Sequence, residues 1–573
     1  MRLIKKRHHG TSRVAKVSKN AGVLIASKLV TSGISFLLAI VINRQLGAVN
    51  AGIYTYVFTM YSLFMIVPDF GLGSVSIRDV SQDHSKMSTY LKNIVCIRML
   101  LGLSACLILL TTDFGSALTK SPLAFDQKFW SIFVVAFCLL IEQPLSNSLA
   151  ECFVALEKLT VVAYIYFIMG IIKVALSLYI ILAGINPVLV LLVMVYIITI
   201  LYSIVHFYLL YRRMLRRDIL PEIEQRDMAL AEAIIHSPDL PEGPAFDQAL
   251  VADYTFATLG EREAEEKAPG GSGEDRFTGI GRLKLDKDLW RYLFRSAWPL
   301  ALVAAGVSIY AYMDIPILSW IKGDKQVGLY NAGVMFTKAA IYLGMGINLA
   351  LLPAIAIVAK KHRERLGEIW ERLLRYIFIL AVIMTVTVPI MARPILILQK
   401  HDFIITLPVV WVTMAALNFT ALTGVSFPFY IVLDKQKKAI LVVSIGIVVK
   451  LALLLISIPI WGYNGAAVTL LVSEIISFFL YYKALSPELN HRIHWLKTFV
   501  VPLACLGVLY GVAFVLQWVF IHGNAAADKF LGSLAYAVIT TAVVVVAYAA
   551  IVYAGKFISR KDLRELNALM KVD

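Results

Sequence analysis

Ionisable side chains stand inside stretches of this chain that are otherwise apolar. Lys173, Lys338, Lys450 and Glu474 fall near the middle of such stretches; Lys28, Asp69, Arg98 and Glu142 lie nearer one end, and Asp314 nearer the other. An ion at bilayer depth costs roughly 2.5–3.5 kcal/mol or more, so it is expected to face a cavity or a partner. Lys28 and Arg98 are close enough to the ends of their stretches for a long side chain to snorkel toward water. Lys173 and Lys450 stand too deep for that. They need an anion to hold or an ion pair, and Glu142 and Glu474 are the acids at hand. Cations slightly exceed acids in the set. A cavity lined by them would attract a phosphate or pyrophosphate, with lysine acting as a flexible point charge. Asp69, Asp314, Glu142 and Glu474 are candidates for a coupling proton or sodium ion, or simply partners of the cations.

Other chemistry is poorly provided for. The five cysteines, Cys96, Cys106, Cys138, Cys152 and Cys505, all sit in or beside apolar stretches, and none forms a Cys-x-x-Cys pair. They read as small core residues, not as a disulfide framework or thiolate site. Asp286-Lys287-Asp288 resembles a glycosyltransferase metal motif only superficially and reads as a solvated linker end. The chain has neither a Gly-x-x-x-x-Gly-Lys-Ser/Thr loop nor a His-Glu-x-x-His pair, so ATP-driven pumping is unsupported. We therefore expect no catalytic residues, no metal and no cofactor.

The elements that must position these charges are membrane spans. Hydrophobic residues make up 59% of the 573 positions and charged residues 16%, against about 25% charged in a soluble protein. The apolar residues come in blocks near the ~20 residues that cross a ~30 Å hydrocarbon core. The expected spans are 21–43, 52–76, 91–112, 129–150, 161–183, 187–211, 292–320, 328–359, 372–392, 404–432, 439–460, 464–484, 498–520 and 530–555. The net charge of +16 does not point to nucleic acid, because the basic residues flank the apolar blocks. That placement is what orientation in a bilayer requires. Met1–Lys19 holds seven Lys/Arg and no acid, and the run after it is too long for a signal peptide. With the N-terminus cytoplasmic, Lys360, Lys361, Arg363, Arg365, Lys435, Lys437 and Lys438 all fall on the same side as the tails. Both termini are thus expected in the cytoplasm.

The chain divides into a basic tail (1–20), a first bundle (21–211), an acidic linker (212–291), a second bundle (292–484), an extra helix pair (498–555) and a C-terminal tail (556–573). The linker contains Pro-Gly-Gly-Ser-Gly at 269–273 and reads as flexible, with a short helix near 245–266. The two bundles look duplicated. Gly47, Gly52 and Tyr54 recur as Gly323, Gly328 and Tyr330, each 276 residues later. Leu156-Glu157-Lys158 matches Leu433-Asp434-Lys435, and Lys173 matches Lys450, at a shift of 277. Six spans per copy make a parallel repeat about an axis along the membrane normal. Transporters of that symmetry hold substrate between their halves. The fold class expected is all-α integral membrane: about fourteen transmembrane helices, as two parallel-related six-helix bundles plus two extra C-terminal helices.

Several motifs carry a family resemblance. They are Lys19-Asn20 before the first span, Asn43-Arg44-Gln45-Leu46-Gly47, Gly52-Ile53-Tyr54, Asp69-Phe70-Gly71-Leu72-Gly73, Arg78-Asp79 and the Leu156-Glu157-Lys158 loop. Together with the duplicated plan, they resemble the polysaccharide flippases of the multidrug/oligosaccharidyl-lipid/polysaccharide exporter superfamily. The resemblance implies a V-shaped pair of bundles around a cationic cavity in the cytoplasmic membrane. It implies alternating access and a polyprenyl-(pyro)phosphate-linked oligosaccharide as substrate, and Lys173, Lys450, Lys338, Lys28, Arg78 and Arg98 are the candidate binding residues. An extra helix pair is similar to the lipid II flippase branch. Membrane lipids, a proton or sodium ion, and a glycan polymerase or glycosyltransferases are the expected partners. A cation-coupled drug or metabolite antiporter, a membrane glycan polymerase and a scaffold are the competing readings. The polymerase lacks a long loop to hold catalytic groups.

Overall fold

This computed structural model describes residues 2–120, 127–156, 158–184, 188–214, 286–361, 363–433, 435–500 and 530–554, with isolated positions between 503 and 515. The linker from 215 to 285 and the tail from 555, with the readings placed on them, lie outside the described residues, as does most of 498–520.

Every described element is helical. The first half holds α1 (Arg2–Phe64), α2 (Ile66–Asp69), α3 (Leu72–Gln82), α4 (Met87–Lys120), α5 (Gln127–Leu139), α6 (Ser148–Ala155), α7 (Leu159–Leu182) and α8 (Val188–Met214). The second holds α9 (Lys287–Tyr312), α10 (Asp314–Lys322), α11 (Asp324–Lys361), α12 (Leu366–Gln399), α13 (Leu407–Val432), α14 (Gln436–Trp461) and α15 (Tyr463–Leu489); α16 (Phe530–Ala554) follows. In hydrocarbon only internal backbone hydrogen bonding is tolerable, which is why apolar blocks of this length become helices. Eleven helices among the described residues are long and apolar enough to cross a membrane. The expectation of fourteen counts 21–43 and 52–76 apart, in keeping with the two helical segments of α1 that meet at the non-helical Gly47, and also includes 498–520 and 328–359. Leu182, Val448, Ile460 and Val546 stay 66–80% exposed, on faces that lipid would solvate.

The duplication is visible in the backbone. Gly47 bends α1 with φ 70 and ψ 177, and Gly323, its repeat mate, joins α10 to α11 with φ 84 and ψ 172. Only glycine visits that region without strain. Beyond the bends, the two long helices cross at a second repeat-related pair. A Cβ added to Gly52 would collide with the carbonyl oxygen of Asp324 and stand 2.9 Å from the Gly328 nitrogen. One added to Gly328 would collide with the carbonyl oxygen of Ala48 and stand 3.1 Å from the Gly52 nitrogen. Ala48 and Asp324 are themselves repeat mates. Such reciprocity, in which i meets j and j meets i, is the mark of a twofold contact. Small residues let membrane helices approach this closely.

The halves also touch at the other end. Leu289, Trp290, Leu293, Phe294 and Ala297 of α9 pack into a core with Leu72, Ile94 and Phe153 of the first half. Phe70 meets Phe294 edge-on at 5.5 Å. The extra helix α16 packs on α12, where the Tyr548 hydroxyl donates to the Ile379 carbonyl at 2.7 Å. Glu371 of α12 ties the chain after α15 to the same bundle, accepting from His491 Nε2 at 2.6 Å and Thr498 Oγ1 at 3.1 Å.

Candidate functional site

Lys173 lies on α7 between two helices that supply aromatic rings. Its ammonium stands 5.5 Å from the Phe58 ring of α1 and 5.2 Å from the Tyr196 ring of α8. A cation over a ring face is attracted by the ring quadrupole, more strongly once water is excluded. Glu142 is the acid that acts on this lysine electrostatically. It begins a short π-helical turn, Glu142–Asn147, that contains Pro144. Proline removes an N–H and crowds the preceding turn, which explains the local widening. Tyr61 and Tyr196 both donate their hydroxyls to Glu142, the latter at 2.9 Å.

Lys450, on α14, has the equivalent place in the second half. Its ammonium donates to the Tyr310 carbonyl at 2.7 Å and stands 4.8 Å from the Tyr310 ring. The residue is only 1% exposed. Glu474 acts on it electrostatically and lies within hydrogen-bonding reach of Tyr310 and Thr420. Lys338 of α11 donates to Asn331 at 3.4 Å and feels both Asp314 and Lys450. Asp314 accepts from the Tyr330 hydroxyl at 2.6 Å and from the Ile315 backbone at 3.1 Å. Lys338, Lys450, Asp314 and Glu474 therefore form one group in the second half, and Lys173 with Glu142 another in the first. Neither Lys173 nor Lys450 is ion-paired with a described residue.

Arg98 is placed differently. It has no exposed surface, and its guanidinium bridges Glu151 at 2.7 Å and Asp69 at 3.1 Å. Ser148 accepts a further bond at 2.7 Å. These contacts join α4 to α2 and α6. Arg78, on α3, is instead half-exposed and pairs with Asp79 at 2.8 Å. It also donates to the Tyr292 hydroxyl of α9 at 3.0 Å, and that hydroxyl donates to Asp79 at 2.9 Å. Burial opposes ionisation of Asp79, but hydrogen bonds from Arg78, Tyr292 and Tyr90 outweigh it and hold the carboxyl below its usual range. The Lys28 side chain lies outside the described residues. Asp286, of the superficial metal-like motif, caps α9 by accepting from the Asp288 and Leu289 amides.

A family described as polysaccharide biosynthesis protein matches residues 17–229 and 276–356, together just over half of the chain. The chain belongs to that family. The resemblance read from Asn43–Gly47 and Asp69–Gly73 is thereby borne out. No curated protein matches the sequence significantly. Two solved structures show the fold this family member shares. One is the lipid II flippase MurJ in an inward closed conformation, at TM-score 0.59 and 10% identity, covering 93% of this chain and 99% of that one. The other is an inward-facing multidrug resistance MATE family transporter of the MOP superfamily, at TM-score 0.54 and 11% identity, covering 82% and 98%. The family member is thus a multi-pass membrane protein with the transporter fold of that superfamily.

Several residues of the site escape sequence reasoning. Tyr61, Tyr196, Tyr310 and Tyr330 answer the buried acids, yet nothing marks them among 26 tyrosines. Glu151 looks like part of a loop in the sequence, but it lies on α6 and pairs with the buried arginine. Tyr292 matters because it crosses between halves, which no local signal reveals.

Proposed function

We propose that this protein moves a polyprenyl-(pyro)phosphate-linked oligosaccharide across the cytoplasmic membrane by alternating access, for cell-surface glycan assembly. The observation that carries the reading is the pair Lys173 and Lys450. They are repeat mates on corresponding helices, each bedded on aromatic rings, and neither has its charge cancelled by a paired carboxylate. A lysine held this way has no paired carboxylate to compete with an incoming anion. Lys450 is covered by α9, so a phosphate would reach it only when α9 moves from α14. Lys338 adds positive potential beside it. Arg78, on the side we take to be cytoplasmic, would meet the phosphate first, and Lys28 belongs to the same proposed path. Arg98, held by two carboxylates, would support that end of the first bundle and not bind the head group. The roles are transport, and we assign no catalytic residue.

The buried acids fit a coupling role. Glu142, Asp314 and Glu474 each stand within reach of a tyrosine hydroxyl, a donor that can follow a carboxylate through a change of charge. Asp69, bound to Arg98, is the remaining candidate. These same acids favour the second reading, a cation-coupled antiporter of the same superfamily.

The test uses purified protein in vesicles with a fluorescent lipid-linked oligosaccharide and no other enzyme. Wild type is expected to transfer it between leaflets, and Lys173→Met and Lys450→Met to lose at least tenfold in rate with unchanged melting temperature. Transfer at the wild-type rate by both variants would overturn the reading. Drug efflux without glycan transfer would establish the antiporter.

A further inference from the structure

A cleft of about 600 Å³ opens where the two halves meet, lined by Asp79, Gln82, Asp83, Lys86, Tyr90 and Tyr292. Ligand sites commonly measure ~300–1,000 Å³ and are mostly apolar; this one is lined by hydrogen-bonding groups and two tyrosines. The lining narrows what it can hold. A phosphate inside it would face Asp79 and Asp83. A metal ion or organic cation would find Asp79 already accepting from Arg78 at 2.8 Å, Tyr90 at 3.1 Å and Tyr292 at 2.9 Å. Asp83 is itself 3.7 Å from Lys86. The negative charge is therefore answered internally. What remains is a set of acceptors, an ammonium donor, an amide and two aromatic rings. That set suits a neutral, hydroxyl-rich ligand, whose hydroxyls donate and accept and whose C–H faces pack on tyrosine.

Arg78 stands at the rim with its side chain 54% exposed. Its guanidinium shares Asp79 and Tyr292 with the cleft, so an anion on Arg78 would lie next to a ligand inside. We infer that this cleft receives the sugar adjoining the phosphate of a lipid-linked saccharide, with Arg78 taking the phosphate. The inference rests on the flippase reading and adds a recognition site for the saccharide at the seam between halves. Because α3 and α4 supply one wall and α9 the other, a sugar in the cleft would touch both halves at once.

The full-length protein in phosphatidylcholine nanodiscs provides the test. Two probes are compared: polyprenyl pyrophosphate without sugar, and the polyprenyl-linked saccharides extracted from the native cells. Gln82→Ala and Tyr292→Leu are expected to weaken binding of the saccharide-bearing lipid by about tenfold, the loss of a hydrogen bond or packing contact. Gln82→Ala should leave the sugar-free lipid unaffected, whereas Arg78→Gln and Tyr292→Leu, which removes a partner of the Arg78 guanidinium, should weaken both. Gln82 is exposed, so its variant remains informative even if Tyr292→Leu unfolds. Equal effects of Gln82→Ala on the two lipids, or none, would overturn the cleft assignment while leaving transport standing. Failure of the wild type to bind either lipid would overturn the flippase reading itself.

Discussion

An arginine with no exposed surface must have its charge answered within hydrogen-bonding reach. Arg98 achieves this with Asp69, Glu151 and Ser148. Removing one partner of a buried ion pair leaves an uncompensated charge and destabilises by roughly 3–5 kcal/mol. We expect Glu151→Leu to lower thermal stability in detergent by an amount of that order, and an unchanged melting curve would show the network to be dispensable. Lys450 contrasts with it. Its ammonium rests on a carbonyl and a ring, so Lys450→Met is expected to keep stability and lose transport. Sequence alone flags both residues as deep cations. It does not separate them, because the distinction lies in what the neighbouring helices turn toward each.

At the scale of elements, the crossing of α1 and α11 depends on the absence of two side chains. Gly52→Ala would drive a methyl group into the Asp324 carbonyl. Overpacking a tight contact costs about 1–3 kcal/mol. The expected outcome is a widened distance between spin labels placed on α1 and α11 near the crossing, and an unaltered distance would count against the contact. Gly47 and Gly323 were legible as a repeat, and their matched positive φ angles give that repeat a backbone meaning. The π-helical turn at Glu142–Asn147 was less legible. Pro144 signals an interruption, but only packing decides that the turn presents Glu142 to Tyr61 and Tyr196.

For the whole molecule, the proposed alternating access requires the halves to separate at one end while holding at the other. Lys128 of α5 pairs with Asp324 of α11 at 3.0 Å, and its ammonium lies 4.0 Å from the centre of the Tyr56 ring. Asn43 of α1 also donates across the halves to Gln399 of α12, at 3.1 Å. This end is the one where Gly52 meets Gly328. Ion pairs of partial exposure contribute up to about 1 kcal/mol, roughly fivefold in a two-state ratio. Asp324→Asn should therefore shift label distances across this end toward the open form by about that factor. Lys128→Asp combined with Asp324→Lys should restore the closed form, and a double variant no better than either single one would remove the pair from the gating contact.

The sequence by itself determined the membrane class, most of the span positions, the repeat-matched residues and which charges fall inside apolar stretches. Each of these is a local or periodic property, fixed by apolar block length and by matching residues at a constant shift. Only the tertiary structure decided which charges meet. The rotation of each helix about its own axis selects the partner of every buried ion, and that rotation is set by packing between residues hundreds of positions apart. For that reason Lys173 and Lys450 emerge bedded on rings, Arg98 emerges locked between acids, and Tyr292 reaches Arg78 across the seam.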